Sequence, residues 1–237
     1  MLLEHDLSRS EFSLLSEILW KLGSGKGQER LRETVLVDIA TLLRADFAAS
    51  YIWDAKQHLS KQGIMWQIDP KAILEYDRIW QHDDPITSRL RERQQATFVN
   101  EIISISELKK TDYYNEFLRP YGLYHGLNIY FVRDGIDIGD LRIWRAKDSI
   151  MFSEREKRIL NLIEPYMTQA LPIDLSTQYF LTPREQEVVI LVSKGLSDKY
   201  VANLLDISFT TVRTHLKSAM KKMGCHNRTE MAALMHA

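Results

Sequence analysis

The sixteen residues from Ser208 to Met223 constrain this chain more than any other stretch. From Ile207 to Thr229 there are five Lys or Arg (Arg213, Lys217, Lys221, Lys222, Arg228) and no Asp or Glu, in a chain of formal net charge −1. On a helical wheel Val212, Leu216, Ala219 or Met220, and Met223 form one apolar stripe, while Arg213, Thr214, Lys217 and Lys221 share another face. Such a helix needs a small core behind it and an anionic partner in front. Long donors on a rigid, backed helix suit the major groove of duplex DNA, where they reach base edges and phosphates.

The flanking residues supply that core. Ser197 to Leu205 makes a second short amphipathic segment through Tyr200, Val201, Leu204 and Leu205, and only Asp206 and Ile207 separate it from the N-cap Ser208. Helices joined by so short a turn cross steeply, as in a helix-turn-helix. Thr182-Pro-Arg-Glu185 is a capping box with proline at the first helical position, and opens a further helix. Arg228 to Ala237 carries Met231, Leu234 and Met235 on one side as a last helix. The expectation is an all-α domain of four helices over residues 180–237, with 171–179 as a linker of no firm periodicity.

At these positions the sequence resembles the DNA-binding domain of LuxR-type transcription regulators. The resemblance is carried by Leu181-Thr-Pro-Arg-Glu185, Gly195, Val201-Ala202, Leu205, Ile207-Ser208, Thr211-Val212, His215, Lys222-Met-Gly224 and Asn227-Arg-Thr229, about sixty residues in all. Members commonly carry Glu where Tyr200 stands, bracing the two helices. The resemblance implies that Arg213, Thr214 and Lys217 face the major groove, with Arg213 reading guanine through its fork. It also implies that Thr182, Thr211 and Lys221 contact phosphates and that His215 is structural. The last helix would pair with its twin in a homodimer on half-sites about one helical turn apart; in this sequence it could instead close the small core. Double-stranded DNA is the implied partner, and RNA polymerase is among the protein partners such a regulator can have.

Composition agrees with two folded domains. Of 237 residues 45% are apolar, ample for real cores. Residues 176–237 hold eight Lys and Arg against five Asp and Glu, net +3; of the whole chain's 31 and 32, this leaves 23 against 27 before them, net −4. One cysteine, Cys225, excludes an internal disulfide framework, and beside His226 it makes too small a set for a metal site. No secretory h-region or membrane-crossing apolar run is present, so a soluble, cytoplasmic protein without membrane association is expected.

Before the linker, helical spacing over Glu11–Leu22 and Gln28–Leu43 flanks a Gly-rich loop, Gly23 to Gly27. Strands follow over Phe47–Trp53 and Gly63–Ile68, helical spacing over Pro70–Trp80, a break at Asp83-Asp-Pro85, a short helix over Ile86–Arg93, a short strand over Thr97–Asn100 and a helix over Ser106–Leu118. Two clearer strands, Gly126–Val132 and Gly139–Arg145, turn at Arg133-Asp-Gly135. Ser153 and Glu156 form a capping box on a long helix through Ile159, Leu160, Ile163 and Met167, which Pro165 should kink. Residues 1–170 therefore read as an α+β domain, an α-β-α sandwich around an antiparallel sheet.

This order resembles GAF and PAS-like sensor modules and the autoinducer-binding domains of LuxR-type proteins, which implies a quorum-sensing-like small-molecule signal. Tyr76, Asp84-Pro85, Phe98 and the Gly122/Gly126 spacing are similar to landmarks of acyl-homoserine-lactone receptors. Carried over, Asp84 would accept the ligand amide and Tyr76 line the pocket; the plain alternative for Asp84 is an Asp-Pro turn. From the residues themselves, the pocket candidates are the aromatics Tyr51, Trp53, Trp66, Tyr76, Trp80, Tyr130 and Trp144, any of which could equally be core. No nucleophile elbow, metal-ligand cluster or dinucleotide loop supports an enzyme, and no cofactor is implied. The reading is a sequence-specific transcription regulator controlled by a small apolar ligand, the alternative being a first domain that only dimerises or binds protein.

Overall fold

The computed structural model describes residues 7–24, 30–54, 57–133, 136–171, 179 and 181–235. The chain divides into two compact units, Met1–Pro172 and Ile173–Ala237. Of the expected linker only Leu171 and Tyr179 are described; most of the Gly23–Gly27 loop and Asp134-Gly135 of the expected turn also fall outside the described residues.

In the first unit two helices, α1 (Arg9–Ser24) and α2 (Leu31–Leu42), precede strands β1 (Phe47–Asp54) and β2 (Leu59–Trp66). Then come α3 (Pro70–Arg78), α4 (Thr87–Arg91), β3 (Thr97–Phe98), α5 (Ile105–Leu108), β4 (His125–Arg133), β5 (Ile136–Arg145) and α6 (Glu154–Ala170). The strands form one antiparallel sheet in the order β2-β1-β5-β4-β3. Alternation divides its residues between two buried faces. Leu127, Ile129, Leu141 and Ile143 point one way, where α2 packs on β1 and α6 on β4. Ala49, Tyr51, Tyr130 and Trp144 point the other way and join Ala72, Tyr76, Leu90 and Phe117 in a second core. Helices cover both faces, the expected α-β-α sandwich.

One departure from the sequence pattern has a local cause. The helix expected over Ser106–Leu118 splits into α5 and a π-helical turn, Tyr113–Leu118. Thr111 Oγ1 accepts the Tyr114 N–H, and Asn115 donates to the carbonyls of Lys109 and Thr111, so side chains take over the helical ladder. The wider turn buries Tyr113, Tyr114, Phe117 and Leu118 together. The long helix α6 runs unbroken with Pro165 inside it, capped by Ser153 and Glu156 as expected.

At the centre of the sheet the β1–β5 pairing skips from Ala49↔Arg142 to Ile52↔Gly139. Ser50 Oγ donates to the Asp140 carbonyl (2.7 Å) and the Tyr51 N–H donates to Asp140 Oδ1 (3.0 Å), replacing ladder bonds lost there. Gly139 sits in this irregularity at φ +155°, and a Cβ there would stand 2.4 Å from the Tyr51 carbonyl oxygen. Among the described residues the second unit has four helices, α7 (Pro183–Ser193), α8 (Asp198–Leu205), α9 (Phe209–Lys222) and α10 (Arg228–Leu234), around Val188, Val192, Val201, Val212, Leu216, Ala219 and Met231.

Gly139→Ala should therefore cost roughly 1 to 3 kcal/mol of stability, because the clash is with backbone that cannot swing aside. Urea unfolding of the variant checks this, and an unchanged midpoint would show that β1 and β5 can separate to admit the methyl group.

Candidate functional site

The basic helix is α9. Ser208 caps it by accepting the Thr211 N–H (3.0 Å), and Asp206 ends α8 in the left-handed conformation at φ 52° and ψ 49°, a geometry Asp tolerates better than most residues. That one residue turns the chain so that the Ile207 N–H reaches back to the Ala202 carbonyl and α9 crosses α8. After α9, Gly224 at φ 68° reverses the chain toward α10.

Val212, Leu216 and Ala219 are buried, whereas Arg213, Thr214, Lys217 and Lys221 are exposed. Thr182, the N-cap of α7, is exposed and Thr211 half-buried. The five basic residues of this region then divide. Lys222 Nζ lies 2.6 Å from Glu185 Oε2, and Arg228 Nη1 lies 3.2 Å from Asp198 Oδ1. Among the described residues Arg213, Lys217 and Lys221 have no carboxylate at ion-pair distance. Arg213 stands 5.8 Å from the Phe209 ring and Thr214 Oγ1 donates to the Thr210 carbonyl. One face of α9 is thus an uncompensated donor surface.

Glu185 fixes that surface. It is buried, its Oε2 accepts the Thr182 N–H (2.7 Å) and the Lys222 ammonium, and its Oε1 accepts the Ser218 hydroxyl (2.5 Å). Burial alone would raise its carboxyl, but the bonds from Lys222, Ser218 and Thr182 outweigh it and hold the group at about 2. One carboxylate thus caps α7 and ties it to α9. Cys225 is buried, and among the described residues no set of His, Cys, Asp or Glu is placed to hold a metal ion.

In the first unit the expected pocket aromatics separate. Tyr51, Tyr76, Trp80, Tyr130 and Trp144 converge in one buried layer; Trp53 is partly buried and lines the groove beside it, whereas the partly buried Trp66 pairs with Ala48 and so lies on the opposite face of the sheet, with Ile143. Beneath the layer, unforeseen in the sequence, lies Arg142 at 3% side-chain exposure. It donates to Asp140 Oδ2 through Nε (3.0 Å) and Nη2 (2.7 Å), and lies 4.9 Å and 4.8 Å from the Tyr51 and Tyr76 rings. The space left between Tyr51, Tyr76, Phe117, Arg142 and Trp144 is about 20 Å³, enough for about one water. Burial drives the Tyr51, Tyr76, Tyr113 and Tyr130 hydroxyls far above their ordinary range, so they stay protonated.

The Asp84 side chain is 2% exposed beside this layer, 3.8 Å from Arg142 Nη1. Its Oδ1 accepts the Ile86 and Thr87 N–H groups (2.9 and 3.1 Å), and its Oδ2 accepts the Tyr76 and Thr87 hydroxyls (3.1 and 2.5 Å). A carboxylate has about four acceptor positions, and all four are filled from within the chain. Outside Asp84 an open groove of about 590 Å³ runs between Trp53, Gln81, Arg91 and Asp137. Burial pushes the Asp137 carboxyl up to about 6, against the pull of the Arg91 guanidinium.

Comparison with known proteins bears on both units. Residues 180–235 match the bacterial regulatory proteins of the luxR family. The chain is 31% identical over 125 residues to the monoamine regulon transcriptional regulator of Klebsiella aerogenes, covering 51% of this chain and 54% of that protein. It is 43% identical over 56 residues to the nitrate/nitrite response regulator NarL of Escherichia coli, covering 24% of this chain and 26% of NarL. The matched segment thus spans at most about half of these curated relatives. The crystal structure of Escherichia coli SdiA matches 95% of this chain and 97% of its own with a TM-score of 0.52, at 17% identity, a likeness of fold. Among the described residues no helix is long and apolar enough to cross a membrane.

The Glu185 clamp dictates an acid response. A carboxyl held at about 2 against an ordinary 4.5 contributes stability that is present above pH 4.5 and lost as the pH falls toward 2. In Glu185→Gln that part of the pH dependence should vanish while the rest of the profile persists. Thermal unfolding of the full chain between pH 6 and pH 2.5 checks this, and identical profiles would mean that the clamp contributes nothing.

Proposed function

The second unit carries a helix-turn-helix domain of the luxR family, matched over residues 180–235, and on that premise we propose that this chain is a sequence-specific transcription regulator acting on duplex DNA as a homodimer. The observation that carries the proposal is the free face of α9: Arg213, Lys217 and Lys221 are exposed without carboxylate partners on a helix whose other side is buried. Arg213 and Thr214, with Lys217, reach base edges; Thr182, Thr211 and Lys221 hold phosphates. The matched relatives are transcription regulators rather than enzymes.

The first unit is proposed as the sensor that sets DNA affinity, cytoplasmic like its target. Its sandwich fold is the one seen in SdiA, and it offers an open groove beside the buried layer of Tyr76, Asp84 and Tyr130. A second reading, a unit that only dimerises or docks another protein such as RNA polymerase, is favoured by one observation: the apolar space is already filled down to about 20 Å³. Mass spectrometry of small molecules released from the purified, denatured chain separates the two readings.

The roles within α9 separate by substitution. Arg213→Ala should cost roughly 1 to 3 kcal/mol at its cognate base pair and relax preference there. Lys221→Ala should weaken all sequences alike and lower the salt slope of binding by about 1. Mobility-shift titrations on the operator and on base-pair variants at several salt concentrations read both; equal weakening of every sequence by Arg213→Ala would make it a phosphate grip only.

A further inference from the structure

The groove of the first unit holds a recognition set for an organic cation, and the chain's own Arg91 fills it. The Arg91 guanidinium lies 3.4 Å from the centroid of the Trp53 ring and 5.3 Å from that of Tyr130. Its Nη1 stands 3.0 Å from Asp137 Oδ2. An aromatic face with a carboxylate beside it is how proteins hold ammonium and guanidinium groups. The fit of Arg91 is poor. Both Nη1 and Oδ2 are buried, yet among the described residues neither makes an aligned hydrogen bond. A close, misaligned ion pair bears the cost of desolvation with little hydrogen bonding to offset it.

Charge and space point the same way. The lining holds three carboxylates, Asp84, Glu92 and Asp137, and one guanidinium, Arg91, with the buried Arg142 3.8 Å behind Asp84. Asp84 is saturated from within, which leaves Asp137 and Glu92 to face a ligand. A volume of about 590 Å³ takes a small organic molecule, whereas the apolar space of about 20 Å³ admits no alkyl chain. We propose that this groove binds a small organic cation, which replaces Arg91 on Trp53 and Asp137. The proposal rests on the first unit being a sensor, and names the chemical class it senses.

Arg91 is the last residue of α4, whose first turn hangs on Asp84 and whose Thr87 accepts the Tyr130 hydroxyl (3.3 Å). Displacing Arg91 frees the far end of this five-residue helix while its near end stays tied to the sheet. Exchange of an internal cation for an external one is therefore read out at α4.

Calorimetric titration of the full chain with n-butylguanidinium, n-butylammonium and the neutral n-butylurea tests the proposal. At least one cation should bind, with the urea about tenfold weaker or more, the difference one desolvated cation–π and carboxylate contact makes. Asp137→Asn should weaken the cation about tenfold, and Trp53→Leu, which leaves every charge in place, should weaken it too, so that a folding failure in one leaves the other. Arg91→Ala should tighten it several-fold, because the internal competitor is gone; a merely structural Arg91 would weaken binding when lost. Unchanged or weaker binding by Arg91→Ala, or equal affinity for the urea, overturns the cation site. N-octanoyl homoserine lactone as a fourth titrant separates the premises. If it binds and Asp137→Asn does not affect it, the sensor reading stands and this proposal falls; if nothing binds and denaturation releases no small molecule, both fall.

Discussion

A helix can carry unneutralised cations toward DNA only if something other than those cations holds it in place. Here the hold is double: the stripe Val212, Leu216 and Ala219 buried against α7 and α8, and the carboxylate of Glu185 reaching Ser218 and Lys222. A buried carboxylate is costly by itself, and three donors from two helices make it tolerable. The clamp grips the C-terminal half of α9, where the helix dipole also favours the ammonium of Lys222. Arg213, Thr214 and Lys217 lie toward the other end, away from the clamp. One half of the helix is thus fixed to the fold and the other presented to a partner. Tyr200, which stands where LuxR-type members commonly place a bracing Glu, is 57% exposed and leaves the apolar stripe to set the crossing of α8 and α9.

The first unit solves a harder electrostatic problem. Asp140 and Arg142 share one face of β5 with Trp144, in a layer that is mostly aromatic and aliphatic but also holds the Ser60 hydroxyl, which accepts from Arg142 Nη2 (3.3 Å), and the Asp84 carboxylate, 3.8 Å from Arg142 Nη1. Asp140 does two jobs there: it satisfies the Tyr51 N–H left open where the β1–β5 ladder skips, and it neutralises the guanidinium. The Tyr51 and Tyr76 rings flank Arg142 and soften its desolvation through their negative faces. Filling the layer with a planar cation and the buried rings of Tyr51, Tyr76, Trp80, Tyr113, Tyr114, Phe117, Tyr130 and Trp144 leaves no channel for a chain of methylenes. What remains open is the polar margin, where Arg91 repeats the arrangement of cation, ring and carboxylate in a looser form.

Much of this was legible in the sequence where the cause is local. The helical stripes, the capping boxes at Thr182 and Ser153 and the turn at Asp206-Ile207 depend on residues within one or two turns of each other, and they appear where the pattern puts them. Charge balance is not local. Lys222 and Arg228 count as free cations in any window around α9, yet their partners lie 37 and 30 positions earlier, in other helices. The same limit hid Arg142: Asp140 and Arg142 are charged residues in a strand, and only the layer of α3, α4 and the π-helical turn, distant in sequence, buries them. Convergence of Tyr51, Tyr130 and Trp144 follows from strand register, with Tyr76 brought onto them by α3, but whether rings line a space or fill it depends on volumes that periodicity does not carry.

Control of one unit by the other requires a ligand that prefers one arrangement, and the groove chemistry bounds how strong that preference can be. Replacing Arg91 by an external cation conserves the number of charge pairs on Asp137, so most of the electrostatic gain of the newcomer is cancelled by the loss of the old contact. What survives is the difference between a misaligned pair and an aligned one, plus whatever Arg91 gains on returning to water. Hydrogen bonds to charged groups are worth about 1.5 to 3 kcal/mol each, so the surplus has that order. Couplings of 1 to 3 kcal/mol change affinity about 5- to 150-fold, the range in which regulators work. In the proposed homodimer on two half-sites the same shift would act on both copies of α9 at once, so that a weak exchange in each first unit would suffice to decide whether the operator is held.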